Sequence, residues 1–303
     1  MYQERNPSRS AFVPIRGLRY HVREWGQPLD GQAPLVLVHG WMDVSASWQF
    51  MVDCLRQQRW VIAPDWRGYG LSQTPPGADQ YWLPDYLADL DFLLEHYSPA
   101  APVDLVGHSM GGNLAMLYAG SRPARIRRLV NLEGFGMAPM APEQAPVRLG
   151  QWMDELKEFH RGEVAVKPYD GADGVAQRLM KTNRRLPRDK ADWLARHWAR
   201  PGEDGLWRIL ADPAHKITNA QVYRLEEVLA HYRAITAPTL CVEASDDSLA
   251  LWWKGRYTLE QFRERVKNVA DARHALVRNA GHMLHHDQPE ELAQLIEDFT
   301  LSR

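Results

Sequence analysis

The sequence predicts an α/β fold: a doubly wound, mostly parallel sheet with a helical cap inserted into it. Three observations carry that expectation. Short apolar runs alternate with amphipathic, helix-length stretches from Leu35 to Gly136. The alternation then stops between Met137 and about Ile235, where the segments read as helices and no strong strand occurs. It resumes at Pro238 and continues through the last helix.

The elements follow in order. "AFVPIRG" and "LRYHVREW" read as two strands joined by a turn at Gly17. After the Gly- and Pro-rich link "GQPLDGQAP", the unbroken apolar run Leu35 to His39 suits a strand covered on both faces. "SWQFMVDCLRQ" is helix-like, "WVIAPD" is a strand, and "WRGYGLSQTPPG" is rich in turn residues. A helix over Asp85–Tyr97 sets Tyr86, Leu90, Leu93, Leu94 and Tyr97 on one stripe. Strand "VDLVG" (103–107) runs into Ser109 and a helix through Met116 to Ala119. "LVNLEGFG" (129–136) is a last apolar strand ending on an acid, Glu133, before two glycines let the chain leave the sheet. Beyond the block come strand "PTLCVEA", a helix around Leu259–Val269, strand "HALVRN", and a helix over Pro289–Phe299. The last has Pro289 in its first turn, followed by Glu290 and Glu291. Residues 1–136 and 236–303 are therefore expected to form the core, and 137–235 a helical cap.

Composition narrows the classes. Apolar residues make up 45% and charged residues 24%, ordinary for a globular chain. A net charge of -2 gives no electrostatic basis for binding nucleic acid or an anionic membrane. The basic stretch Arg184–Arg200 includes Asp189 and Asp192 and reads as a solvated helix face, with attraction of an anionic substrate as the alternative. Cys54 and Cys241 have no neighbouring cysteine for a metal site or redox pair. The polar start "MYQERNPSRS" lacks a signal-peptide core and no run is long enough to span a membrane, so a cytoplasmic setting is expected.

The chemistry centres on "GHSMG", Gly107–Gly111, between a buried strand and a helix. A strand-to-helix turn that tight has no room for side chains at Gly107 or Gly111, and it holds the Ser109 hydroxyl at its tip beside the helix N-terminus. A serine hydroxyl needs a base, and the chain order for this elbow is serine, acid, histidine. Of 12 histidines, His282 is placed for that role, in the loop between the last strand and the last helix. His285 and His286 follow it as polar loop or capping residues, and the loop lacks a metalloprotease spacing. The backbone amides of Trp41, after "HG", and Met110 are the expected oxyanion donors. Asp65 and Arg67 are expected to brace the loop beside the site, and "DPAHK" (212–216) to be an inter-helix loop or an entrance.

"HGW" (39–41), "DWRGYGLS" (65–72), "GHSMGG" (107–112) and "AGHMLHHDQPEEL" (280–292) together resemble the capped α/β-hydrolase fold serine hydrolases, from about Phe12 to the C-terminus and weakly through the block. The layout is also similar to haloalkane dehalogenases and epoxide hydrolases, which carry an Asp nucleophile where this chain has Ser109. In most of the family the acid follows the late strand, which implies Asp247, counted from Ala244. One dehalogenase subgroup places it after the preceding core strand, which implies Glu133. Asp246 is the third choice, with an N-capping turn residue as its structural reading. Glu243 reads as a sheet-edge polar residue or ion-pair partner. The resemblance implies hydrolysis of a small or medium ester with an apolar or aromatic group, through an acyl-enzyme. C–C bond hydrolysis or cofactor-free perhydrolysis on the same residues is the alternative within enzymes, and a non-catalytic binder of this fold the alternative outside them. Trp152, Trp193, Trp198 and Trp207 are candidate pocket or lid residues, with packing against the core as the alternative. No metal or organic cofactor is implied.

Overall fold

The computed structural model describes residues 2–301. Its main sheet has eight strands in the order β1-β2-β4-β3-β5-β6-β9-β10. These are β1 (Arg9–Ile15), β2 (Leu18–Trp25), β3 (Leu35–Val38), β4 (Val61–Pro64), β5 (Val103–His108), β6 (Ile126–Leu132), β9 (Thr239–Ala244) and β10 (Ala272–Val277). The first two form a hairpin through Arg16 and Gly17, both at positive φ, and β2 pairs antiparallel with β4. Every other pairing is parallel. The fully apolar runs Leu35–Val38 and Val61–Pro64 are buried throughout, as a sheet covered on both faces requires.

The helices are α1 (Gln49–Val52), α2 (Leu83–Tyr97), α3 (Met110–Ser121), α4 (Ala145–His160), α5 (Ala172–Thr182), α6 (Arg188–Trp198), α7 (Leu225–Ala234), α8 (Ser248–Trp253), α9 (Leu259–Val266), α10 (Leu284–Asp287) and α11 (Pro289–Leu301). One face of the sheet packs on α2, α3 and α7, burying Leu90, Leu93, Leu114 and Tyr232. The other packs on α1 and α11, burying Met51, Leu292 and Ile296. Each such side chain contributes roughly 1.5–3 kcal/mol of burial. Tyr86, Leu90, Leu93 and Leu94 are buried as their spacing requires; Asp89 joins them because Arg67 clasps it at 2.6 and 2.7 Å and the Tyr20 hydroxyl donates to it.

Between residues 137 and 235 the chain is mainly helical, as expected, and its strands are short: a ribbon of β7 (Ala199–Pro201) and β8 (Trp207–Ile209). Three-residue strands carry too little periodicity to stand out in a sequence. "SWQFMVDCLRQ" is also shorter than a full helix: a 3₁₀ turn over Ser45–Trp48 leads into the four residues of α1. Within Arg184–Arg200, Arg188 pairs with Asp173 and Asp192, as a solvated helix face would. Among the described residues no helix is long and apolar enough to cross a membrane.

Candidate active site

Ser109 sits between β5 and α3 with φ 53° and ψ −116°, a backbone state that costs a non-glycine residue on the order of 1–3 kcal/mol. The surrounding sequence is what tolerates it. A Cβ at Gly107 would overlap the Gly111 carbonyl, and one at Gly111 would overlap the Val38 carbonyl on the neighbouring strand. Ser109 N donates to Leu132 O at 2.8 Å, which pins the turn to β6. The turn after β3 lies against it: a Cβ on Gly40 would stand 3.1 Å from the Ser109 Cβ.

Glu133 follows β6 with φ 54°, and its backbone N–H donates to Val242 O on β9 at 3.1 Å. This kink turns the carboxylate inward, where it is 3% exposed. Its Oε1 accepts from Ala244 N at 2.8 Å, and its Oε2 accepts from Ser248 Oγ at 2.8 Å. His282 Nδ1 lies 3.2 Å from the same Oε2, and an ionised carboxylate there requires the proton on Nδ1, leaving Nε2 as the free base. Burial pushes the Glu133 carboxyl up to about 7, against the pull of the Ala244 and Ser248 donors, and pushes His282 down to about 3. The imidazole is thus neutral near pH 7. Trp252 lies edge-on to its ring, with centroids 4.3 Å apart.

The two other candidate acids, the preferred Asp247 among them, are engaged elsewhere. Asp247 is exposed and caps α8, accepting from Ala250 N at 2.8 Å. Asp246, the third choice, is held by Arg185 at 2.7 and 3.2 Å. The physical reason is local: a carboxylate just before a helix is captured by the free amides of its first turn. Capping therefore belongs to Asp247, not Asp246. Glu243 is the ion-pair partner of Arg263, at 2.6 Å, though on an inner strand and not at the sheet edge.

A cavity of about 530 Å³ opens beside the elbow, lined by Ser109, Trp41 and Met110 from the core side and by Met137, Arg148 and Tyr223 from residues 137–235. Leu83, Leu87 and Val228 add apolar wall. Met110 is the first residue of α3, where backbone N–H groups have no intrahelical acceptor. Asp65 braces the loops nearby: it accepts from Ser45 N, Leu71 N and the His21 ring, and although burial opposes ionisation, the His21 contact leaves its carboxyl well below the usual range. The "DPAHK" segment packs on the loop after β4, with the His215 ring stacked on Tyr69 and Tyr81 at 3.7 and 3.6 Å.

The four candidate pocket tryptophans do not line this cavity. Trp193, Trp198 and Trp207 pack on a satellite core around Phe50, Val175 and Leu194, and the Trp152 indole donates to Gln80. Their place in a helical block marked them as pocket or core residues without saying which. The lining mixes leucine and methionine side chains with Tyr223, Tyr232 and Arg148, and Trp41 is its tryptophan. Ser248 and Trp252, which touch Glu133 and His282, were not singled out from the sequence. Ser248 offers no sequence signal; Trp252 stands in a "WW" pair with Trp253 shortly after the candidate acids.

The model of the alpha/beta hydrolase fold family matches residues 33–289. A serine hydrolase-like protein from Danio rerio is 26% identical over 294 residues, covering 95% of this chain and 86% of its own length. Epoxide hydrolase A of Mycobacterium tuberculosis is 25% identical over 325 residues, covering 95% and 96%. Among solved structures, the thioesterase domain from the curacin biosynthetic pathway superposes with a TM-score of 0.82 at 25% identity, covering 96% of this chain and 99% of that one. With its elbow, its mostly parallel sheet and a match spanning most of its length, the chain belongs to the alpha/beta hydrolase fold family.

Proposed function

We propose that this protein is a serine hydrolase that cleaves small or medium carboxylic esters, carrying an apolar or aromatic group, through an acyl-enzyme. The observation that carries the reading is the Glu133–His282 contact, made at the strand ends where the strained Ser109 turn opens into the cavity. Ser109 Oγ attacks the ester carbonyl as His282 Nε2 takes its proton. Glu133 holds the imidazole in the Nδ1–H tautomer and stabilises the imidazolium. The Trp41 and Met110 amides receive the developing oxyanion, an assignment supported by both residues lining the same cavity as Ser109. The tetrahedral intermediate collapses, His282 returns the proton to the leaving alcohol, and the acyl-serine forms. Water, deprotonated by His282, then cleaves it to the acid and free Ser109.

The segment 137–235 acts as the cap, supplying Met137, Arg148 and Tyr223 to the pocket wall. A serine nucleophile favours acyl transfer over the epoxide opening named for one relative. Turnover of p-nitrophenyl esters of increasing acyl length, set against a vinylogous diketone, tests the reading. Ester turnover abolished in Ser109→Ala supports it; cleavage of the carbon acid alone would replace it with C–C hydrolysis.

A further inference from the structure

Behind the Ser109–His282 edge lies a polar cluster that ester hydrolysis leaves unused. Asp43 follows the turn after β3, His108 precedes Ser109, and His285 lies three residues beyond His282. They are 6%, 2% and 0% exposed. One ring nitrogen of each histidine and one Asp43 oxygen lie within 4.8 Å of one another, and His285 Nε2 is 4.0 Å from Asp43 Oδ2. Among the described residues, Asp43 Oδ2, His108 Nδ1 and both His285 ring nitrogens have no partner at hydrogen-bond geometry, although the Trp198 indole is near enough to Asp43 to favour its ionised form. Polar atoms left unpaired in an interior are costly, so their convergence calls for a ligand.

The remaining atoms of two of these residues are already held. Asp43 Oδ1 accepts from Val44 N at 2.9 Å and from the Ser47 hydroxyl. His108 Nε2–H donates to the His282 carbonyl at 2.7 Å, which leaves Nδ1 as a lone-pair donor. Metal-binding histidines are oriented in this way, by a carbonyl on the opposite nitrogen. Two imidazoles and a carboxylate suit zinc, cobalt or copper and are poor company for magnesium or calcium. Ligands about 2.1 Å from a tetrahedral ion stand about 3.4 Å apart, so the His285–Asp43 pair needs to close by about half an ångström.

We propose that Asp43, His108 and His285 bind one divalent transition-metal ion, and that its occupation locks the His282 loop and inhibits the enzyme. The ion ties together the turn after β3, the elbow and the start of α10, the three segments whose relative placement the reaction depends on. It takes no part in the chemistry. The inhibitory half rests on the serine hydrolase reading; the binding half does not.

Equilibrium dialysis and calorimetric titration of the full chain with Zn²⁺ and Co²⁺ test the site. One ion per chain is expected, with affinity reduced at least tenfold in Asp43→Asn and His285→Gln and unchanged in His282→Ala. Bound Co²⁺ should show tetrahedral visible bands in the wild type and lose them in Asp43→Asn. That variant keeps the Oδ1 contacts, so it reports on binding even if His285→Gln fails to fold, and circular dichroism checks both. No stoichiometric binding, or binding that survives Asp43→Asn and disappears in His282→Ala, overturns the site. Ester turnover should fall with Zn²⁺ and recover with a chelator in the wild type; binding with unaltered turnover overturns the inhibition.

Discussion

Replacing Glu133 by Gln separates its role from that of Asp247. The Glu133 carboxylate accepts three contacts, from Ala244 N, Ser248 Oγ and His282 Nδ1, all within 3.2 Å. A glutamine has one acceptor oxygen, so its amide N–H₂ must face either the Ala244 amide, donor against donor, or His282. In the second arrangement the imidazole is pushed into the Nε2–H tautomer, and Nε2 can no longer act as the base proposed for Ser109. A wrong tautomer in such a triad costs roughly 10⁴ in kcat, about 5.5 kcal/mol of transition-state stabilisation. Asp247→Asn replaces one good N-cap with another and should leave kcat within about threefold and stability within about 0.5 kcal/mol. Steady-state hydrolysis of p-nitrophenyl acetate by both variants, each checked for an intact thermal transition, reads the difference. Equal collapse of the two, or a larger loss in Asp247→Asn, refutes the assignment of Glu133.

Four further outcomes follow from the same geometry. Because burial raises the Glu133 carboxyl to about 7, kcat/KM for a neutral ester should fall as pH drops through about 7, while His282, depressed to about 3, stays neutral throughout. The stability sign is opposite to that of an ordinary buried ion pair: the unfolded carboxyl ionises near 4.5, so the penalty for Glu133 is absent below that pH, grows up to about 7 and is full above it. Thermal melts should therefore show Glu133→Gln gaining on the wild type between pH 5 and 8, with a ceiling of about 3 kcal/mol. Ser248→Ala removes one donor to a buried carboxylate and should lower kcat severalfold, with a stability loss of roughly 1.5–3 kcal/mol by denaturant titration; unchanged kinetics would remove Ser248 from the positioning of Glu133. Leu87→Trp should raise KM for long acyl esters more than for acetate, whereas Trp193→Phe should leave the KM ratio unchanged, since Leu87 lines the cavity and Trp193 packs on the satellite core.

The nucleophile turn was legible because its constraint is local: Gly107 and Gly111 are dictated by backbone atoms a few residues or one strand away. That His282 would meet one of the candidate carboxylates was legible from chain order. Which carboxylate was not, because both stations end on neighbouring parallel strands, with Leu132 opposite Val242, and so arrive at the same edge. What separates them is side-chain direction: a positive φ turns Glu133 inward, and the first turn of α8 captures Asp247. Neither appears in a pattern of apolar residues. The tryptophans were ambiguous for a related reason: a large apolar side chain in a helical block can pack on the cavity or on the core, and Trp193, Trp198 and Trp207 pack beside the turn after β3.

The central claim is that Ser109 is the nucleophile, and covalent labelling tests it most directly. A fluorophosphonate probe should add once per chain, with the adduct mapped by peptide mass spectrometry to Ser109, and labelling should vanish in Ser109→Ala and slow sharply in Glu133→Gln. A wild-type enzyme that hydrolyses esters yet carries no adduct, or carries it on another residue, would contradict the account.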